Sequence, residues 1–273
     1  MSTVRLGSEV HAPRTGAEDA PSVVLIGSLG SDRSMWAEQA AALSEEFRVV
    51  VVDLRGHGES EIPAGPYSID DLANDVLSEL DRLDIRSAHV VGLSIGGAIA
   101  QWLGVHYPDR VDSLTLICTA FKFGEPDNWR DRAATVRAEG VAAVADAVVA
   151  RWLTPKGAEK NSELVARLHS MVVSTPTEGY AGCCESLAGF DISGDLARID
   201  RPTLVIAGDE DPSTPPEVVR GIADRISGAR FELLSPAAHV PTVEVPGQVN
   251  GLLRAHIRRV SATSGPTGSP DDS

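Results

Sequence analysis

The chain has 273 residues, of which 42% are hydrophobic and 23% charged, and its formal net charge is −15. This length allows one large or two small domains with a sizeable core. The negative charge argues against nucleic acid or an anionic membrane surface as the main partner. No apolar run approaches the ~18 residues of a membrane-spanning helix, and the N-terminus lacks the pattern of a secretory signal.

The three cysteines, Cys118, Cys183 and Cys184, indicate a reduced setting. Their number is odd, and two adjacent cysteines rarely form a comfortable disulfide bond. We therefore expect free thiols and a cytoplasmic location. No cysteine and histidine have the spacing of a metal-binding pair, so no metal site is predicted.

Up to about residue 119, short strands rich in β-branched residues alternate with helices. The second helix begins at Ser68, where Asp71 completes a pattern resembling a capping box. This alternation predicts a parallel sheet covered by helices on both faces. The predicted strands are residues 4–6 at an edge, then 22–26, 47–52, 88–91 and 114–118, and the helices cover residues 36–43, 68–83 and 96–106.

The pattern changes between residues 120 and 196, where strand signals disappear. Prolines separate helical segments that cover residues 129–139, 141–152, 163–172 and 177–188. An all-helical insertion within an α/β chain is typical of a cap or lid. We therefore predict a core in two parts, 1–119 and 197–260, with a helical cap at 120–196.

The strand–helix alternation resumes after the helical segment. Strands are predicted at residues 203–207 and 230–234, and helices at 216–226 and 245–260. Residues 261–273 consist mainly of Ser, Thr, Gly, Pro and Asp, a composition typical of a disordered tail.

The most informative short motif is Gly92-x-Ser94-x-Gly96, which lies between a predicted strand and a predicted helix. A serine on such a sharp turn has a strained backbone, and larger residues two positions away on either side would collide. The pattern is short enough to arise by chance, but its place between strand and helix favours a nucleophile. The free N–H groups at the start of the new helix would stabilise developing negative charge.

A serine needs a base, and the base needs a group that orients it. Asp211 and His239 follow the predicted strands 203–207 and 230–234, which gives the chain order serine, acid, histidine. Asp209 and Glu210 share the loop of Asp211 and are competing acids. The other histidines considered lie in or beside predicted strands, helices or a turn, which favours structural roles for His57, His89, His106, His169 and His256.

Four motifs together resemble the α/β-hydrolase family, and they cover most of the predicted core. The resemblance implies an α/β-hydrolase fold, with a mostly parallel central sheet, helices on both faces and an inserted helical cap. It also assigns the catalytic roles to Ser94, Asp211 and His239, and makes His57 part of a structural turn. The motifs are D-x-R-G-H-G-x-S at 53–60, G-x-S-x-G at 92–96, G-x-x-D-x-x-x-P at 208–215 and A-x-H-x-x-x-x-E-x-P at 237–246.

Within that family, the chain is similar to the 3-oxoadipate enol-lactonases. The similar segments are S-L-G at 28–30, residues 92–104 and 110–124, Trp129, Arg132, R-W-L-T-P at 151–155 and Y-A-G-C-C at 180–184. The resemblance implies hydrolysis of a small anionic lactone in aromatic-compound degradation, through a serine acyl-enzyme and without a metal or organic cofactor. The oxyanion hole would consist of the backbone N–H groups of Leu29 and Ile95.

A carboxylate substrate in an acidic protein needs a cationic or hydrogen-bonding receptor. Arg33, Trp129, Arg132 and Trp152 are the candidates, and the alternative for either arginine is the commoner case of an ordinary surface residue. Alternative functions are another esterase or lactonase, a C–C bond hydrolase of the same fold, or a non-catalytic binding module. The sequence makes no prediction of the oligomeric state.

Overall fold

The structure of the protein is a computed structural model that describes residues 3–17 and 19–263. At its centre is a seven-stranded sheet with the strand order β1-β3-β2-β4-β5-β6-β7. β1 is antiparallel to β3, and all other neighbours are parallel. The strands are β1 Ser8–His11, β2 Ser22–Ile26, β3 Arg48–Val52, β4 Ala88–Leu93, β5 Val111–Ile117, β6 Thr203–Gly208 and β7 Arg230–Leu234.

Helices follow most strands, as the alternating sequence pattern predicts. The capping box of α2 is confirmed, because Ser68 accepts from the Asp71 N–H and the Asp71 side chain accepts from the Ser68 N–H. The helices are α1 Ala37–Leu43, α2 Ile69–Arg82, α3 Ile95–His106, α4 Pro126–Glu139, α5 Ala142–Val149, α6 Pro155–Lys160, α7 Ser162–Val173, α8 Thr177–Ala188, α9 Pro216–Ala223, α10 Pro241–Glu244 and α11 Pro246–Thr263.

The strand order places a crevice at the carboxyl ends of β2 and β4. These two strands are adjacent and in register, with Ile26 opposite Gly92. The chain continues from β2 to β3 on one side but from β4 to β5 on the other. The loops that leave β2 and β4 therefore diverge, and ligands of open α/β sheets bind in the space between such loops.

Five helices, α4 to α8, lie between β5 and β6 in the chain. α4 packs against α8, and α5 packs against α7. Their inner side chains join the hydrophobic core, for example Val136 of α4 and Leu168 of α7. The division of the chain into core and cap domains remains a prediction.

The predicted edge strand at residues 4–6 is wrong, because the edge strand is Ser8–His11. The N–H groups of Val4 and Arg5 donate instead to the carboxylates of Asp75 and Glu61. These bonds engage two N–H groups of the predicted segment, and residues 8–11 pair with β3 instead.

Two further differences from the prediction concern helices. The short helix Pro155–Lys160 was not predicted, although Thr154 caps it by accepting from the Gly157 N–H at 3.0 Å. The last helix ends at Thr263, so residues 261–263 are helical and not part of a disordered tail. The buried side chains of Ile257 and Val260 hold this end of the helix on the core. The rest of the predicted tail, 264–273, lies outside the described residues.

Candidate active site

Ser94 lies on the sharp turn between β4 and α3, which we call the elbow. Its backbone angles are φ 58° and ψ −117°, in a region that residues with side chains rarely occupy. A Cβ atom on Gly92 would overlap the carbonyl group of Gly96, and one on Gly96 would overlap the carbonyl oxygen of Ile26. The strained turn is held by the Ser94 N–H, which donates to Ile117 O at 2.9 Å. Both glycines are therefore required sterically.

Asp211 and His239 form a buried pair beyond β6 and β7. His239 Nδ1 lies 2.8 Å from Asp211 Oδ2. Since a carboxylate can only accept, Nδ1 carries the proton and Nε2 is left as the base. Asp211 also accepts from the Thr214 hydroxyl at 2.7 Å and from the Ser213 N–H at 2.8 Å. Burial alone would raise the pKa of Asp211, but His239 and these donors outweigh it and lower the pKa.

The competing acids of the Asp211 loop have other partners. Asp209 accepts from the Ser235 hydroxyl at 2.5 Å and from the Ala237 N–H at 3.0 Å, so it fastens the loop that carries His239. The Glu210 N–H donates to the same loop, at Ala237 O. Neither Asp209 nor Glu210 is bonded to His239 among the described residues.

Glu244, whose role was not predicted, joins the His239 loop to the inserted helices. One of its carboxylate oxygens accepts from the Ala238 N–H at 2.8 Å, and the other accepts from the Thr154 N–H at 2.8 Å. The Val240 N–H also donates to Trp152 O at 3.0 Å. The A-x-H-x-x-x-x-E spacing is the sequence signal for this residue.

Ser94 and His239 both line a cavity of about 150 Å³. No hydrogen bond joins Ser94 Oγ to His239 within the described part of the chain; bonds of this kind often tighten only in the complex with substrate. The cavity is mainly apolar, with two arginines and one tyrosine among its polar lining. Its other lining residues are Ser28, Leu29, Phe123, Trp129, Arg132, Val148, Arg151, Trp152, Tyr180, Leu187, Pro212, Ser213 and Thr214.

Three of the four predicted substrate residues line this cavity: Trp129, Arg132 and Trp152. The Arg132 guanidinium lies 4.9 Å from the centre of the Trp129 ring, within cation–π range. Arg33 does not line it. Its guanidinium is 2.8 Å from Asp53 and 2.7 Å from Glu59. Arg33 is thus part of a structural ion-pair group and is not retained as a substrate residue.

Two cavity residues were missed as candidates, Arg151 and Tyr180. Arg151 precedes Trp152, and Tyr180 begins Y-A-G-C-C. Both segments resemble the enol-lactonases, but no pattern in the sequence assigned a role to either residue. The Tyr180 hydroxyl is buried and has no hydrogen-bond partner among the described residues. Burial raises the pKa of Tyr180, and the positive charge of Arg132 offsets this only in part, so the hydroxyl remains a donor.

The two predicted oxyanion donors are placed at the crevice. Leu29 lines the cavity directly, and Ile95 is the first residue of α3. Neither backbone N–H donates a hydrogen bond within the described residues, and an N–H in the first turn of a helix has no partner inside that helix. Both donors are therefore available to a ligand.

The remaining predictions concern cysteines, metals and membranes. Cys118, Cys183 and Cys184 are free and buried, and burial raises the pKa of each thiol.

Among residues 3–17 and 19–263, no three His, Cys, Asp or Glu side chains are grouped so that they could bind a metal ion. The helices of the same residues are all too short or too polar to span a bilayer.

Comparison with known proteins gives consistent matches. The sequence profile described as alpha/beta hydrolase fold matches residues 21–245. The chain is 39% identical to 3-oxoadipate enol-lactonase 2 of Acinetobacter baylyi over 89% of this chain and 91% of that protein. It is 32% identical to a putative carbamate hydrolase of Stutzerimonas stutzeri, over 88% of this chain and 92% of that protein. The crystal structure of the enol-lactonase from Burkholderia xenovorans LB400 superposes with a TM-score of 0.90 and 39% identity, over 93% and 97% of the two chains.

Proposed function

Because the chain belongs to the α/β-hydrolase family, we propose that it is a serine hydrolase that opens 3-oxoadipate enol-lactone to 3-oxoadipate. The observation that carries the proposal is the cavity in which Ser94 and His239 meet Arg132 and Arg151. Two relatives named enol-lactonases are 38–39% identical to the chain, whereas the putative carbamate hydrolase is 32% identical. This difference supports a lactone over a carbamate as the substrate.

The charge of the cavity suits an anionic lactone. The protein as a whole carries a formal charge of −15, which repels a carboxylate. Neither Arg132 nor Arg151 is in an ion pair with a described residue, so both guanidinium groups keep donors for a ligand. Tyr180 adds a buried hydroxyl donor to the same wall. A charge-assisted contact is worth roughly 1.5–3 kcal/mol, enough to favour the carboxylate form of a small substrate.

The acylation step follows from the geometry of the buried pair. Ser94 Oγ attacks the lactone carbonyl carbon while His239 Nε2 takes its proton. Asp211 keeps the imidazole in the tautomer with a free Nε2 and stabilises the imidazolium that forms. The N–H groups of Leu29 and Ile95 bind the oxyanion, and one such donor is typically worth about 3 kcal/mol.

Collapse of the tetrahedral intermediate breaks the ring C–O bond and expels an enol oxygen. His239 returns its proton to this oxygen, and the enol tautomerises to the ketone. The leaving group stays tethered to the acyl-enzyme, because the substrate is cyclic. Water, deprotonated by His239, then attacks the acyl carbon and releases Ser94 and 3-oxoadipate. We place this reaction in the cytoplasmic degradation of aromatic compounds, in line with the free thiols of the chain.

The decisive experiment follows the loss of enol-lactone absorbance with the purified protein and with Ser94→Ala. We expect turnover by the wild type and background rates for the variant. In parallel, a fluorophosphonate probe should label the wild type at Ser94 and leave the variant unlabelled.

The outcomes separate the candidate functions. Labelling without lactone turnover, together with hydrolysis of a carbamate or a simple aryl ester, would replace the substrate and keep the serine mechanism. No labelling and no turnover of any of these compounds would contradict the enzymatic proposal and favour a binding module.

A further inference from the structure

The D-x-R-G-H-G-x-S turn at 53–60 fastens the loop that supplies one oxyanion donor. We call residues 27–33, which follow β2, the β2 loop. Two of its backbone N–H groups donate to side chains of the turn: Arg33 N–H to Asp53 Oδ1 at 2.7 Å, and Gly30 N–H to His57 Nε2 at 3.0 Å. The loop is thus held at its end by a carboxylate and at its middle by an imidazole.

The tautomer of His57 is defined by its two contacts. His57 Nδ1 lies 3.1 Å from Arg55 O, and a carbonyl oxygen can only accept. Nδ1 therefore carries the proton and Nε2 is the acceptor for Gly30. The ring is fully buried, and burial lowers the pKa of His57 to about 4, against weaker opposing effects of Arg55 O and Asp32. The acceptor is accordingly present at neutral pH.

The turn that carries His57 is itself rigid. Arg55 forms two bonds with Asp75, at 2.6 and 2.8 Å, inside the protein. Asp53 Oδ2 accepts from the Glu59 N–H at 3.0 Å. The backbone of Gly56 packs directly on the backbone of Gly179 in α8, where neither glycine has room for a Cβ. His57 therefore holds the β2 loop from a fixed position.

The same loop geometry orients the N–H of Leu29. Ser28 O accepts from both the N–H and the hydroxyl of Ser31, at 3.1 and 2.8 Å. In a trans peptide the C=O and the N–H point in opposite directions, so the Leu29 N–H points away from Ser31. Gly30, with φ +79°, makes the turn that this arrangement needs. A Cβ there would lie 3.1 Å from the Tyr180 ring.

We propose that His57 is a positioning residue of the reaction: by accepting from the Gly30 N–H, it keeps the Leu29 N–H directed at the oxyanion. Without this acceptor, the buried Gly30 N–H is unsatisfied and the 28–31 turn relaxes to find another partner. This inference rests on the proposed serine mechanism, because it concerns the stability of an oxyanion and not the identity of the lactone.

The test compares His57→Phe, which keeps a buried ring but removes the acceptor, with His57→Gln, whose amide oxygen restores it. The matched control is His256→Phe, which removes another fully buried histidine, on α11. The assay is phosphonylation of Ser94 by a fluorophosphonate, with the maximal rate and the half-saturating concentration determined separately. A simple aryl ester gives kcat and KM in the same way.

We expect His57→Phe to lower the maximal rate and kcat about 10- to 100-fold, somewhat less than outright loss of an oxyanion donor. KM and the half-saturating concentration should change less than about threefold, since the rest of the cavity wall, including Arg132 and Arg151, lies outside the 28–31 turn. His57→Gln should recover most of the rate, and His256→Phe should react like the wild type.

Three results would overturn the proposal: a folded His57→Phe with the wild-type rate, a folded His57→Gln as slow as His57→Phe, or a loss confined to KM. If His57→Phe does not fold, His57→Leu is the second variant without an acceptor. If neither variant folds, wild-type kinetics of His57→Gln support the proposal, and a slow but folded His57→Gln overturns it. A wild type that is not labelled contradicts the serine mechanism itself, whereas equal labelling of wild type and His57→Phe contradicts only the role of His57.

Discussion

Acid should destabilise the protein through the buried histidine His256. Its side chain lies on the core-facing side of α11 and is 0% exposed. Burial lowers the pKa of His256 from 6.5 to about 4, and the positive charges of Arg259 and Arg230, and of His89 when it is protonated, act in the same direction. The backbone of Leu114 opposes this shift only weakly. His256 is therefore neutral in the folded protein at pH values where an exposed imidazole is already protonated.

The sign and size of the effect follow from proton linkage. Below pH 6.5 the unfolded chain binds a proton that the folded protein does not, so the free energy of unfolding falls as the pH is lowered. The loss begins near pH 6.5 and is complete near pH 4. Between pH 7.5 and pH 5 it amounts to about 2 kcal/mol for this one residue.

The assay is urea unfolding of the wild type and of His256→Phe at pH 7.5 and at pH 5. Phenylalanine keeps a ring in the same space but does not titrate. The buried carboxyls of Asp53 and Asp75, whose pKa values are raised by burial, act in the opposite direction but equally in both proteins. The pH-dependent loss of stability should therefore be about 2 kcal/mol smaller in His256→Phe. An equal loss in both proteins would refute the reasoning.

Three further predictions concern Asp211, the two arginines Arg132 and Arg33, and Gly92 at the turn that carries Ser94. Asp211→Asn should lower kcat about 10⁴-fold with little change in KM, because the amide no longer holds the useful tautomer of the histidine; steady-state kinetics measure this. Arg132→Met should raise the KM for the lactone about 10- to 100-fold, whereas Arg33→Met should leave KM unchanged and lower Tm, because Asp53 loses its ion pair. Gly92→Ala should cost about 3 kcal/mol or more in urea unfolding, because its Cβ overlaps the backbone of the elbow.

Each of these predictions has a distinct contrary result. Asp211→Asn with more than a tenth of the wild-type kcat would show that another acid orients the histidine. A KM that rises for Arg33→Met but not for Arg132→Met would reverse their assignments. A Gly92→Ala variant as stable as the wild type would mean that the elbow has room that the structure does not show.

Several parts of the fold were predictable because their causes are local. The strands at 22–26 and in 203–208 are short, mainly apolar runs rich in β-branched residues, a pattern typical of a buried strand, and the structure contains both. The capping box at Ser68 depends on four consecutive residues. The α/β-hydrolase fold itself is confirmed by the matching family profile and by the superposed enol-lactonase structure.

The edge strand shows where local patterns were insufficient. Residues 4–6 and 8–11 are both short and only partly apolar, so neither has a strong strand signal. The choice between them was made by distant partners, since Asp75 and Glu61 bind the first segment and β3 pairs with the second.

By itself, the sequence determined the elbow and the alternation that builds the sheet, since each depends on sterics or periodicity within a few residues. Which polar side chains surround the serine was decided only by the tertiary structure. Arg33 belongs to the β2 loop but pairs with Asp53, whereas Arg151 and Tyr180 reach the cavity from the segment inserted between β5 and β6. The physical reason is that a side chain's partner depends on which distant carboxylate or cavity lies within reach, and sequence spacing does not encode that distance.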